Sequence, residues 1–204
     1  YLVAVYVWSV YTECMHGMPS ERPVRVAVPV NLRPYFNSIT TKNFFVMVSA
    51  EFHPTKEIYT FEEVLKSVSE SLRSQISREN LEKQFSYNVS TEKLLAARIV
   101  PLFLKNLAMR YVYTTSALAN TATVTNIGNI SVSEEYRPYV EMFHAFLAMS
   151  KGQHLKGTIC SYGDTLVFSF SYDLTDTSVQ RGFFRKIAAD GIAVEIETNG
   201  VNYE

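Results

Sequence analysis

The sequence predicts an α+β fold in which a large mixed β-sheet is flanked by helices. Apolar residues alternate with others through 24–30, the period of two expected for a strand with one buried face. Apolar residues within 61–76 fall on one helical face. The stretches 156–162 and 165–172 flank Gly163-Asp164 as the strands of a β-hairpin do. The predicted order of strand, strand, helix, helix, several strands, helix and strand is typical of an α+β layer arrangement.

The N-terminal segment and the first two strands follow from the same patterns. Residues 1–11 are apolar but too few to span a bilayer, so they predict a buried helix that runs to about Cys14. Pro29 has no N–H for a ladder and is therefore expected at an edge of the sheet or near the end of pairing. The continuous apolar run 44–48 predicts a second strand that is covered on both faces.

Two helices are expected in the middle of the chain. Thr60 and Glu63 form the capping-box pattern at the start of the first. Ser90 or Thr91 is expected to cap the second, whose apolar residues recur at helical spacing. Pro101 should kink or divide that helix, because a proline inside a helix removes a hydrogen bond and clashes with the preceding turn.

Strand composition returns after the second helix. Residues 121–132 are rich in threonine, valine and isoleucine and predict a strand. Gly128 within it marks a bulge or a place where another group approaches the backbone closely. Residues 139–149 fit both the helical and the strand period; we predict a strand, because a turn and another strand follow at once.

The last elements are a helix and a short strand. Asp176 or Thr177 is expected to cap the helix, which should end at Gly191. A strand over 193–197 completes the predicted sheet. Without an internal repeat or a low-complexity linker, the 204 residues are expected to form a single domain.

Composition excludes several classes of function. The 19 basic and 20 acidic side chains nearly cancel, which gives no electrostatic case for nucleic acid or for an anionic membrane surface. Two cysteines lack the density of a secreted disulfide scaffold, so a cytoplasmic location is expected. No Gly-rich phosphate loop, nucleophile elbow or cysteine pair at zinc spacing occurs, and no metal site is predicted.

No histidine has the surroundings of a catalytic base, so no catalytic residue is predicted in this chain. His53 has Glu57 four residues on, but the intervening proline makes the interval a turn. His16 and His154 lie in turn segments, where a solvated histidine is expected. His144 lies in an apolar segment and is interpreted as a packed or channel-lining side chain.

The sequence resembles the C-terminal half of the CoA-dependent acyltransferase superfamily, which includes chloramphenicol acetyltransferase and the condensation domains of peptide synthetases. The alcohol O-acetyltransferase-like branch is the most similar. The resemblance covers nearly the whole chain, and the joint order of its motifs is more specific than any one of them. It rests on VPVNLRPYF at 28–36 with NFF at 43–45, TVTNIGNI at 123–130, SYGDTLVFSFSYD at 161–173 and GIAVEIETNG at 191–200. TVTNIGNI resembles, without reproducing, the Asp-Phe-Gly-Trp-Gly box of plant relatives.

The resemblance implies a chloramphenicol acetyltransferase-like half, truncated from a longer protein. In this superfamily two similar halves meet at a tunnel, and an acyl thioester and an acceptor enter from opposite sides. The base belongs to a His-His-x-x-x-Asp-Gly motif in the first half, which this chain lacks. The implied co-substrate is acyl-CoA or an acyl-carrier thioester, and the implied partners are the N-terminal half and an acyl carrier protein.

Four residues are candidates for oxyanion donors and cofactor contacts: Asn126, Gly128, Ser161 and Tyr162. Each has a structural alternative, because an Asn beside a Gly is often a bulge device and Ser161 and Tyr162 precede a hairpin turn. Arg33 is interpreted as a structural residue that holds the corner after the first strand.

Two further hypotheses come from other functional classes. The chain could act as a non-catalytic module that binds a carrier protein or another protein through the same sheet. It could also be a self-assembling scaffold in which an exposed sheet face pairs with a second copy, giving a homodimer.

Overall fold

The computed structural model describes residues 1–93 and 100–199, apart from the side chains of 88, 89, 91–93 and 116–118. The elements in chain order are α1 (Leu2–Ser9), a π-helical turn (Val10–Cys14), β1 (Val24–Asn31), β2 (Phe45–Phe52), α2 (Phe61–Gln75), α3 (Arg78–Lys93), α4 (Leu102–Leu118), β3 (Ala122–Asn129), a 3-10 turn (Arg137–Tyr139), β4 (Leu155–Tyr162), β5 (Thr165–Tyr172) and α5 (Ser178–Ala189). None of the helices within these ranges is long and apolar enough to cross a bilayer. The predicted α+β class, with a mixed sheet flanked by helices, is confirmed.

The five strands form one mixed sheet in the order β2-β1-β3-β4-β5. The outer pairs β1–β2 and β4–β5 are antiparallel, whereas the inner pairs β1–β3 and β3–β4 are parallel. β3 pairs with β1 only at Val26 and Ala27, so Pro29 lies beyond the point where this pairing stops. The missing proline N–H therefore costs no ladder bond on that side, as predicted.

The main hydrophobic core lies on one face of the sheet, beneath α1, α2 and α5. α1 is apolar on all sides because it is enclosed between α2, α5 and the sheet, and Ala4, Val5, Tyr6 and Val7 are fully buried. A smaller cluster at the far end of β2 joins α3 to the sheet through Leu32, Val46, Val48 and Leu81.

Helix starts follow the predicted capping chemistry. The Thr60 hydroxyl accepts a hydrogen bond from the Glu63 N–H at 3.4 Å, and the Thr60 N–H donates to Glu63 Oε2 at 2.8 Å. This is the predicted capping box of α2. At α5, Thr177 is the N-cap by position, but its side chain makes no capping bond. The Asp176 carboxylate instead accepts the Ser178 N–H at 2.9 Å, and this bond lowers the pKa of Asp176.

Two predictions in the first half of the chain are wrong. The run 44–48 is not covered on both faces: β2 is the outermost strand, and Phe45 and Met47 are 48% and 40% exposed. Ser90 and Thr91 do not cap a helix, because α3 begins at Arg78 and runs past both. The predicted residues 94–99 of that helix lie outside the described part. Pro101 immediately precedes α4, where its missing N–H breaks no helical bond.

The strands predicted over 139–149 and 193–197 are not formed. Within the described residues, neither segment pairs with a strand. Residues 140–149, hereafter the cover segment, form neither a helix nor a paired strand, and from Phe143 to Met149 half-buried and exposed positions alternate. The alternation is that of a strand, but the segment is bonded to side chains of β4, an inner strand of the sheet, and pairs with no strand edge.

The helix α4 carries large apolar side chains that are exposed. These side chains are Leu102, Phe103, Leu104, Leu107, Met109, Tyr111, Val112 and Tyr113. They surround the helix instead of forming one stripe, and a helix that is hydrophobic all round is normally enclosed by protein. α4 therefore presents an apolar surface that the rest of the described chain leaves open.

Candidate functional site

The four predicted site residues lie at one end of the sheet, where the parallel strands β3 and β4 finish. Gly128 is opposite Cys160, Asn129 is opposite Ser161, and the register shifts between Asn126 and Gly128. This shift is the predicted bulge. Carboxyl ends of adjacent parallel strands are common ligand sites in open sheets, because polar side chains and free backbone groups converge there.

Asn126 and Gly128 build the bulge together. Asn126 Oδ1 accepts a hydrogen bond from the Gly128 N–H at 2.9 Å, and Gly128 has φ +88°, which favours glycine. A Cβ at this position would meet nothing within 4 Å. The glycine is therefore needed for backbone conformation, and no described group approaches it closely. The Gly128 N–H is already bonded to Asn126, so Asn126 Nδ2 is the hydrogen-bond donor that these two residues could offer a ligand.

Ser161 and Tyr162 fix the end of β4. The Ser161 carbonyl accepts the Ile130 N–H at 2.7 Å and so extends the parallel pairing past β3. The Tyr162 ring packs edge-on against Phe143 of the cover segment, with centroids 5.3 Å apart. By register Gly128 and Tyr162 lie on the sheet face away from the helices, whereas Asn126 and Ser161 fall on the helix side. The predicted set therefore shares one end of the sheet without sharing one face.

The sheet face away from the helices is rich in hydroxyl groups. Alternation places Val124, Ile159 and Phe168 in the core, so their neighbours point the other way. The side chains on this face of β3, β4 and β5 include Thr123, Thr125, Lys156, Thr158, Cys160, Val167, Ser169 and Ser171. Sequence reasoning did not identify this polar face, although the alternation of hydroxyl and apolar residues in 123–125 and 168–171 was the available signal.

The cover segment lies against this polar face over β4. Lys156 is buried, and its Nζ donates to the Ala148 carbonyl at 2.6 Å and to Ser150 Oγ at 2.9 Å. The Cys160 thiol donates to the Phe143 carbonyl at 3.1 Å. The Ala148 and Phe143 carbonyls of the cover segment therefore have side-chain partners, although no strand pairs with this segment. Lys156 was missed at the sequence level; its signal was a charged residue inside an otherwise uncharged strand.

Arg33 has the structural role that was predicted. Its Nη2 donates to the carbonyls of Thr40 at 3.1 Å and Lys42 at 2.8 Å. The guanidinium therefore ties the loop 34–44 to the end of β1.

Each of three histidines lies near a carboxylate, but at the surface. His154 Nδ1 is 3.0 Å from Asp173 Oδ1, and both side chains are about half exposed. His53 and His144 lie 3.4 Å and 3.7 Å from Glu51 and Glu197 and are also exposed. A depression of about 350 Å³ lies between α1 and α2 and is lined by none of the four histidines or the four site residues.

Cysteine and metal chemistry find no support in the described ranges. Partial burial of the Cys14 thiol raises its pKa, and the nearby carboxylates of Asp176 and Glu13 raise it further. A thiol with a raised pKa is a poor nucleophile at neutral pH. Among residues 1–93 and 100–199, no three His, Cys, Asp or Glu side chains are grouped so that they could hold a metal ion.

Comparison with known proteins found likenesses among solved structures. No family model matches the chain, and no curated protein matches it. A solved structure concerned with condensation domain-mediated chain release from the enacyloxin polyketide synthase is 10% identical and superimposes with a TM-score of 0.44. The match covers 98% of this chain and 38% of the other, so the chain spans well under half of that protein's length.

Proposed function

We propose that this chain is the C-terminal half of a thioester-dependent acyltransferase and forms one wall of its reaction tunnel. The observation that carries the proposal is the end of the sheet where β3 and β4 finish side by side, at which the Gly128 bulge and Tyr162 lie on the face away from the helices. The order of sequence motifs noted above supports it. The exposed α4 supports the need for a further half that covers apolar surface.

In this proposal the base belongs to the His-His-x-x-x-Asp-Gly motif of the N-terminal half. It removes the proton of an alcohol or similar acceptor as the acceptor oxygen attacks the thioester carbonyl. The C–S bond then breaks, and the thiol of CoA or of a carrier protein leaves with a proton. The C-terminal half contributes shape and a hydrogen-bond donor to the oxyanion, and its proposed donor is the Tyr162 hydroxyl, because Ser161 and Asn126 lie on the other face of the sheet.

The test compares the isolated chain with the longer protein encoded by its gene. Thiol release from acetyl-CoA, and from an acylated carrier protein, is followed in the presence of an alcohol. We expect no transfer by residues 1–204 alone and transfer by a longer protein that contains the His-His-x-x-x-Asp-Gly motif. The two donors in the assay separate a CoA enzyme from a carrier-dependent one.

Tyr162 gives the assay a matched pair of variants. In the longer protein, Tyr162→Phe keeps the ring contact with Phe143 but removes the donor, and we expect kcat to fall on the order of 10²-fold. Tyr136→Phe removes a hydroxyl from an exposed tyrosine and should change nothing. Acyl transfer by the isolated chain, or a gene without the upstream motif, would contradict the proposal; equal activity of both variants would remove Tyr162 from the site.

A further inference from the structure

The two outer edges of the sheet are treated differently. Along β2, helix side chains occupy the outward backbone groups. Gln75 donates to the Ser49 carbonyl at 2.7 Å and accepts the Ser49 N–H at 3.0 Å. The remaining bonds are Ser71 Oγ to the Ser49 carbonyl at 3.2 Å, Glu51 N–H to Ser71 Oγ at 3.1 Å, Ser67 Oγ to the Glu51 carbonyl at 3.4 Å and Gln84 Nε2 to the Met47 carbonyl at 2.9 Å. This edge cannot accept another strand without losing these bonds.

Among the described residues, no side chain makes such bonds to the backbone of β5, the other outer strand. Tyr162 and Thr165 close the two-residue hairpin and are a hydrogen-bonded pair, so alternate residues of β5 turn their backbone groups outward. These outward residues are Leu166, Phe168, Phe170 and Tyr172. Within the described ranges, their N–H and C=O groups make no bond on the outer side. β5 also contains no charge and no proline, the usual devices that keep an edge strand from pairing.

We propose that β5 pairs antiparallel with β5 of a second copy of this chain, which joins two sheets across a two-fold axis. The alternative is a head-to-tail assembly in which β5 of one copy pairs with β2 of the next. The side-chain bonds along β2 prevent this pairing. Two β5 edges remain, and they meet without a charged residue facing its like. The symmetric contact closes on itself and gives a dimer, not a fibre.

The alternation of backbone groups selects the register of this contact. Residues whose N–H and C=O groups point outward must face residues of the same kind in the second strand. Any register shifted by one residue is therefore excluded. Placing Ser169 opposite Ser169 of the second copy pairs Leu166 with Tyr172 and Phe168 with Phe170, so every outward residue is used. Centring the contact on Phe168 would leave Tyr172 without a partner. Ser169 is therefore expected on the two-fold axis, in a non-hydrogen-bonded pair with Cα atoms about 4.5 Å apart.

A cysteine at the axis tests both the contact and its register. In a Cys14→Ser background, Ser169→Cys should form a disulfide-linked dimer under mild oxidation, since the Cα separation suits a disulfide. Ser171→Cys lies on the same face of the strand. In this register, however, it would lie four residues from position 171 of the second copy, about 13 Å at ~3.3 Å per residue. It should remain monomeric on a non-reducing gel. Tandem mass spectrometry identifies the 169–169 peptide.

A second measurement uses the exposed Leu166. Sedimentation should show a dimer for the unmodified chain and for Leu166→Ala, which keeps the outward N–H. Leu166→Pro removes that N–H and should weaken dimerisation at least tenfold. A monomer at high concentration, no cross-link at position 169, or equal cross-linking at 169 and 171 would each overturn the proposal. None of these readings requires acyl transfer, so the result is independent of the proposed function.

Discussion

Replacing Phe183 by alanine is expected to lower the free energy of unfolding by about 3–5 kcal/mol. The side chain is fully buried on α5, and its ring centroid lies 4.3 Å from Phe168, 5.2 Å from Phe170 and 5.4 Å from Phe184. Truncation removes the shared partner of this aromatic cluster and leaves a cavity whose walls are held by the sheet. Urea unfolding followed by circular dichroism measures the change.

The matched control for Phe183 is Phe103→Ala in α4. Both substitutions remove the same atoms from a helix, but Phe103 is 69% exposed. In the isolated chain its loss should change stability by less than about 0.5 kcal/mol. Similar losses at the two positions would mean that α5 does not pack on the sheet as described.

The second large effect is expected for Gly157→Ala, which should lower the free energy of unfolding by about 1–3 kcal/mol. A Cβ at this position in β4 would lie 2.7 Å from Phe168 Cζ, 3.0 Å from its Cε1 and 3.2 Å from Val124 Cγ2. The Phe168 ring cannot turn away freely, because Phe183 packs against it. Urea unfolding again gives the magnitude.

Two further experiments test the cause of the Gly157→Ala destabilisation. Gly182→Ala in α5 meets only the flexible Glu13 side chain and gains helix propensity, so it should cost far less or stabilise the fold. In a Phe168→Leu background the Gly157→Ala penalty should shrink, because the clashing ring is gone. An undiminished penalty in that background would show that the ring contact is not the cause.

Local chemistry in the sequence was sufficient to predict the fold class, the capping box and the β4–β5 hairpin. Thr60 with Glu63 and the turn Gly163-Asp164 each specify their geometry within a few residues. Segments 139–149 and 193–197 show strand patterns as well, but pairing depends on tertiary position, and in the described chain neither segment pairs with a strand. The predicted cover of β2 on both faces failed for a similar reason, because periodicity does not say which strand is outermost.

The candidate site was predictable only in part. Sequence motifs indicated Asn126, Gly128, Ser161 and Tyr162, and the parallel pairing of β3 with β4 brings them to one end of the sheet. Ser161 and Tyr162 point to opposite faces by ordinary strand alternation, whereas the bulge separates Asn126 from Gly128, and no sequence pattern fixes the register of that bulge. Lys156 was missed because its partners, the Ala148 carbonyl and the Ser150 hydroxyl, lie in or next to a segment predicted to be a strand.

The central claim is that this chain is one half of a larger unit in which α4 is covered. Hydrogen exchange of residues 102–113, compared between the 204-residue chain and the longer protein, tests it most directly. We expect these amides to exchange rapidly in the isolated chain and on the order of 10²-fold more slowly in the longer protein, while α2 is unchanged. Protection of α4 equal to that of α2 in the isolated chain would contradict the claim.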